Sequence, residues 1–187
     1  MKVLFTTPTL EHPAAGGPQL RIENSLKALA KICDLSVVYR CQGALNLDHA
    51  AIEFFRSLCG DFVANEFSGL SPNRYLRKLQ RLAGIDAIGD ADDLLRHVER
   101  TGATIIWFGF GNVSFPLIRR IKRLRPDLRL VCDTDSVWSR FVLRELPYAG
   151  ALRRQTIRLS GWRKVCEERS WVELCDVTTA VSEIDAE

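Results

Sequence analysis

Val3-Leu4-Phe5 runs into Thr6-Thr7-Pro8-Thr9-Leu10-Glu11-His12-Pro13-Ala14-Ala15-Gly16-Gly17-Pro18-Gln19-Leu20-Arg21, and this stretch decides how the rest of the chain is read. An apolar run of strand length empties into a loop with two adjacent glycines and then into a helical pattern. That is the opening unit of a parallel sheet covered by helices. Pro18 fits the first helical turn, where its missing N–H costs nothing. Bare backbone N–H groups at Gly16 and Gly17, at the positive end of a helix, suit a phosphate, and Arg21 one turn further in could add a fixed cation. The same residues also read as a plain turn with a solvated arginine, and the segment alone leaves both readings open.

Outward from this unit, short apolar runs alternate with longer stretches of helical period. Strands are predicted at about residues 2–6, 34–39, 61–66, 103–108, 128–133 and 176–181. Helices are predicted at about 18–31, with Leu20, Leu26, Leu29 and Ala30 facing inward, and at about 48–58, 72–83, 90–100 and 113–124. Residues 138–174 are helical in pattern with a break near Pro147 and Gly150, and Ser182-Glu183 start a last helix. The fold class is therefore α/β: a Rossmann-like, doubly wound, mainly parallel sheet of about six strands with helices on both faces.

The 187 residues are 47% hydrophobic and 26% charged, enough for one core of ordinary domain size. A net charge of +3 is too small to argue for nucleic acid as a partner. The charge is local. Between Arg140 and Lys164 lie Arg140, Arg144, Arg153, Arg154, Arg158, Arg163 and Lys164 against the single acid Glu145, interleaved with Leu152, Ile157, Leu159 and Trp162. Such a segment either packs on the sheet with its cations solvated or touches an anionic membrane from one side. The start of the chain has no secretory pattern, so the expected compartment is the cytoplasm, with the inner face of the membrane as an alternative. Six cysteines without a C-x-x-C pair and three scattered histidines point to reduced thiols on apolar elements and to no metal.

Three segments together resemble the N-terminal domain of family 4 glycosyltransferases, the retaining sugar-nucleotide enzymes of GT-B fold. They are Gly16-Gly17-Pro18-Gln19-Leu20-Arg21 after the first strand, Val131-Cys132-Asp133-Thr134-Asp135-Ser136-Val137-Trp138-Ser139-Arg140 at the fifth, and Cys175-Asp176-Val177-Thr178-Thr179-Ala180-Val181-Ser182-Glu183 at the sixth. The resemblance implies that residues 1–187 form one Rossmann-like, acceptor-side domain. The family's donor motif of two glutamates seven residues apart has no match, so the expectation is that the C-terminal donor domain is absent and that this chain alone transfers no hexose. It further implies a nucleotide sugar as donor substrate, with no other cofactor, and a glycan or lipid-linked acceptor. Gly16, Gly17 and Arg21 would face the donor diphosphate. Asp133 would be the catalytic position, where many relatives have histidine. Gly109, Asn112, Asp135, Ser136, Trp138 and Arg140 would line the acceptor side. From the residues themselves, Asp133 and Asp135 end a parallel strand, where open α/β sheets place ligands, and Trp138 either stacks on a sugar ring or fills the core.

A rival reading rests on Gly109-Phe110-Gly111-Asn112-Val113-Ser114, which follows a strand and opens a helix as a dinucleotide fingerprint does, with Asp133 ending the next strand. Ser114 stands where the third glycine would be. An NAD(P)-binding protein and a non-catalytic binding remnant of the fold are therefore the alternatives to glycosyl transfer.

Overall fold

A computed structural model of the chain describes residues 1–41, 47–66, 75 and 85–180. Among them are six strands: β1 (Lys2–Thr7), β2 (Asp34–Cys41), β3 (Asp61–Glu66), β4 (Ile105–Gly109), β5 (Arg129–Asp133) and β6 (Val177–Thr179). The helices are α1 (Gly17–Leu29), α2 (His49–Leu58), α3 (Ile85–Thr101), α4 (Phe115–Leu124), α5 (Trp138–Leu143) and α6 (Ala151–Val172), with short 3-10 turns at Gly111–Val113 and Leu146–Tyr148. The helix expected near 72–83 and the one expected from Ser182-Glu183 fall outside the described residues.

The strands form one sheet in the order β3-β2-β1-β4-β5-β6, and every neighbouring pair is parallel. This is the doubly wound, Rossmann-like order. The chain leaves β1 toward one edge of the sheet and returns at β4 to build the other, so the loops after β1 and β4 diverge and open a crevice at the carboxyl edge. Register places Phe5 beside Val37 and Trp107, and Asp133 beside both Gly109 and Thr179.

Strand alternation sends side chains to two apolar layers. Val3, Phe5, Val37 and Tyr39 pack with Ile22, Leu26 and Leu29 of α1 and Phe55 of α2. Leu4, Val38, Ile106, Phe108 and Leu130 pack on the other face with Leu94 of α3, Ile118 and Ile121 of α4, and Trp171 of α6. Leu4, Ile106, Ile118 and Leu130 are fully buried, and each contributes about 1.5–3 kcal/mol by leaving water. Helix boundaries have local causes. Asp48 caps α2 by accepting from the Ala51 N–H at 2.8 Å. Gly102, at φ 67°, ends α3 in the left-handed conformation that glycine adopts without strain.

Two expectations need correction. Leu20 is exposed, and the inward stripe of α1 runs through Ile22, Leu26 and Leu29 instead. Not every thiol is a core residue: Cys41 and Cys132 are buried, whereas Cys166 lies exposed on α6.

Candidate functional site

The carboxyl ends of β1, β4, β5 and β6 meet where the crevice opens. The β1–α1 loop is anchored by Leu10, which is 2% exposed, and by a turn in which the Thr7 hydroxyl donates to the Thr9 carbonyl at 3.0 Å. This places His12 against α2. Its ring stacks on Phe54 with centroids 3.6 Å apart and planes 4° from parallel. Nδ1 lies 3.0 Å from Oε2 of Glu23, and the other oxygen of Glu23 accepts from Lys27 at 2.6 Å. Burial raises the Glu23 carboxyl, but the bonds from His12 and Lys27 outweigh it and hold the group below its ordinary value. His12, Glu11, Gln19 and Asp48 help line a cavity of about 400 Å³.

Gly16 precedes α1 with extended backbone and no side-chain cap, Pro18 lies within the first turn, and that turn carries no acidic residue. A Cβ built on Gly17 would meet nothing within 4 Å, so the backbone there is open to an incoming group. Arg21 turns inward from the same helix. It donates to Oδ1 of Asp133 from Nε at 2.9 Å and from Nη2 at 2.5 Å, and Nη2 also reaches the Thr179 hydroxyl at 3.1 Å. The Thr179 hydroxyl donates to Oδ1 of Asp133 at 2.5 Å, and the Ser25 hydroxyl to Oδ2 at 3.3 Å. Asp133 is 2% exposed. Its carboxylate thus clasps α1, β5 and β6 together, with Arg21 as the half-exposed arm of the cluster. Asp135 sits close by; burial and the Asp133 charge push its carboxyl up against the opposing pull of Arg21.

The β4–α4 turn uses its glycines for internal packing. A Cβ on Gly109 would overlap the Phe5 ring, reaching 2.7 Å from Cε1, and one on Gly111 would come within 2.5 Å of Sγ of Cys132. Phe110 between them is left-handed at φ 56°. Ser114, at the third-glycine place, is buried and accepts from Nη2 of Arg40 at 2.6 Å. Asn112 donates to the Ser136 carbonyl at 3.3 Å and so ties this turn to the loop after β5. Ser136 and Thr179 line a second cavity, of about 470 Å³, together with Glu168 and Trp171 of α6. Trp138 is exposed beside Phe141, and Arg140 lies two residues further along α5.

The structure therefore brings Arg21, Asp133 and Asp135 together, joins Asn112 to Ser136, and leaves Gly17 open. It also adds residues that the sequence pattern did not single out. His12, Glu23 and Phe54 are one: no fixed spacing links them, and the only sign was a histidine in the loop after β1. Ser25 and Thr179 around Asp133 are another, because a helix and a strand end 154 residues apart meet only in the fold. Among the described residues no group of three or more His, Cys, Asp or Glu side chains is placed to hold a metal ion.

No family model matches the chain, and no curated protein matches it in sequence. Among solved structures it is similar to Phytolacca americana UGT2 complexed with UDP-2fluoro-glucose and pterostilbene, with TM-score 0.44 and 13% identity over 79% of this chain and 34% of that one. It is similar also to a UDP-glucosyltransferase from Polygonum tinctorium capable of glucosylating indoxyl, complexed with 3,4-dichloroaniline, with TM-score 0.42 and 12% identity over 78% of this chain and 31% of that one. The chain spans about a third of the length of each.

Proposed function

We propose that this chain is the acceptor-side half of a glycosyltransferase of GT-B kind, akin to family 4, which moves a sugar from a nucleotide-sugar donor to a glycan or lipid-linked acceptor. The observation that carries the reading is the pairing, on one loop at the switch point, of a carboxylate-held histidine facing a cavity with an uncapped helix start whose glycine backbone is open. Sugar transfer needs both. An acceptor hydroxyl must be oriented and relieved of its proton as the new bond forms, and the departing diphosphate must be stabilised as its charge grows.

In this reading Nε2 of His12 accepts the hydrogen bond of the acceptor hydroxyl. Glu23 fixes the ring through Nδ1 and stabilises the imidazolium that results. The N–H groups at the start of α1 face the diphosphate, whose charge the helix dipole favours. Arg21 adds a cation held in place by Asp133 and Thr179, with Nη1 as the donor left for a ligand oxygen. Asp133 then works through Arg21 as a positioning residue. Asp135, Ser136, Asn112, Gly109, Trp138 and Arg140 flank the acceptor, with Trp138 offering an exposed ring face to a sugar. The residues that read the nucleotide base would lie in a donor domain facing this one.

The test is an amide-resolved NMR titration of the 187-residue chain with pyrophosphate, a panel of nucleotide sugars, and NAD. The expected result is shifts concentrated at the amides of Gly16–Arg21 with the phosphate-bearing ligands, weakened about tenfold or more in Gly17→Val because a side chain blocks backbone approach. Saturable shifts at Gly109–Ser114 with NAD would move the site to the β4–α4 turn and overturn the proposal.

A further inference from the structure

The hairpin of α5 and α6 stands out from the sheet and covers little of it. Trp171, in the last turn of α6, meets Phe115 with ring centroids 6.3 Å apart. Over the rest of the helix only Ile157 and Gly161 are buried, and a Cβ on Gly161 would strike Leu143 of α5 at 2.5 Å. That is the face α5 covers. On the opposite side of the same helix lies a second apolar stripe with no partner among the described residues. At about 100° per residue, Leu152, Leu159 and Trp162 fall within an arc of about 80° centred roughly opposite Ile157 and Gly161. Leu152 is 86% exposed, Leu159 68% and Trp162 65%, and Tyr148 at the hairpin bend is 91% exposed. Arg158 borders the stripe on one side and Arg163 on the other.

The charge of the hairpin says what covers the stripe. From Arg140 to Lys164 seven cations face one acid within the segment, Glu145, whose carboxylate is taken up by Arg153 at 2.7 Å, and Lys164 at its end is paired with Glu167 at 2.6 Å. A second copy of this chain would bring like charge against like charge across the stripe, which opposes self-association. A convex helix ridge with Trp and Leu at its crest and arginines along both flanks suits a plane that is apolar below and anionic at its surface. The arginine stems lie along the apolar side while their guanidinium heads reach phosphate. We propose that the outward face of α6, from Leu152 to Arg163, together with Tyr148 at the hairpin bend, docks the protein on an anionic lipid bilayer. This inference stands independently of the proposed transfer reaction, since it is read by binding and not by turnover.

Cosedimentation of the intact chain with vesicles tests it. With vesicles of phosphatidylcholine containing about 30% phosphatidylserine, the protein should pellet at low salt and partition at least tenfold less when salt is raised from about 0.1 M to 0.5 M. With pure phosphatidylcholine it should remain in the supernatant. Two surface variants separate the contributions and leave the α5 contact untouched. R158E/R163E should abolish binding, and L159S/W162S should reduce it about tenfold or more while leaving circular dichroism unchanged. If L159S/W162S binds as tightly as the parent, or if a soluble polyanion such as heparin competes fully and binds the chain equally well without lipid, the partner is a soluble acidic molecule and the proposal fails. It fails equally if the free protein dimerises through this face in sedimentation velocity runs.

Discussion

At the scale of single residues, buried polar groups define this molecule's carboxyl edge, and two of them can be tested by removal. Asp133 holds Arg21, Ser25 and Thr179, so Asp133→Ala strips three elements of a shared acceptor. Arg21 is only half buried and can turn to water, which limits the cost to about 2 kcal/mol, measured as a fall in the urea midpoint. A loss under about 0.5 kcal/mol would mean that the clasp is not structural. Arg40 is the deeper case. It is 8% exposed and donates to Thr6 at 2.9 Å, to Ser114 at 2.6 Å and to Asp90 at 3.4 Å, drawing β1, the start of α4 and α3 around β2. Burial pushes this guanidinium down, against the pull of Asp90, yet an arginine stays charged at any ordinary pH. Arg40→Leu should therefore cost about 3 kcal/mol, because the buried Thr6 and Ser114 hydroxyls lose their donor and Asp90 loses a nearby cation. Neither cluster could be read in the sequence. The partners of Arg40 lie 34, 50 and 74 positions away, and no periodicity reports on contacts of that range.

At the scale of elements, most of the architecture was legible because each element meets one requirement locally. The inner strands β1, β4 and β5 are covered on both faces, so they appear as short apolar runs, and Gly102 and Asp48 punctuate the helices where glycine and a capping acid are expected. Leu20 shows where such reading goes astray: it stands two residues before Ile22, about 200° around α1, and so falls on the far side from Leu26 and Leu29. The glycines show it more sharply. In sequence, Gly16-Gly17 and Gly109-Phe110-Gly111 both follow a strand and open a helix, and the pattern does not show which glycines have room beside them. Gly109→Ala should destabilise the protein by about 1–3 kcal/mol, since its methyl group must displace the buried Phe5 ring. Gly17→Val should change stability by no more than about 0.5 kcal/mol, because its side chain enters open space. Thermal unfolding of the two variants side by side checks the contrast, and the reverse order would assign the packing role to the wrong glycine.

At the scale of the whole molecule, the ionisable groups that the fold perturbs predict how stability responds to acid. Glu23 is held below the ordinary glutamate value of 4.5 despite its burial, through His12 and Lys27. Asp176 is held below 3.8, first by the Leu130 N–H and then by Lys122, against the opposing effect of burial. A depressed carboxyl contributes stability that is present above its unfolded value and lost as pH falls through the folded one. His97 acts in the same direction from higher pH. Burial, and then the Arg100 charge, lower it from 6.5, so between that value and the folded one the unfolded chain takes up the proton first and gains on the native state. Asp135, whose carboxyl is raised, offsets part of the acid limb, since the unfolded chain gives up that proton more readily. Urea midpoints should therefore fall in two steps on acidification, a shallow one beginning just below pH 6.5 and a steeper one below about 4.5. His97→Gln should remove the shallow step and Glu23→Gln should flatten the steep one. The neutral amide in the second variant also loses part of the hold on His12, so a protein with that substitution should be less stable at pH 7 and closer to the parent near pH 3. Midpoints that rose on acidification, or a Glu23→Gln curve parallel to the parent throughout, would show that the loop after β1 is not fastened to α1 by this charge.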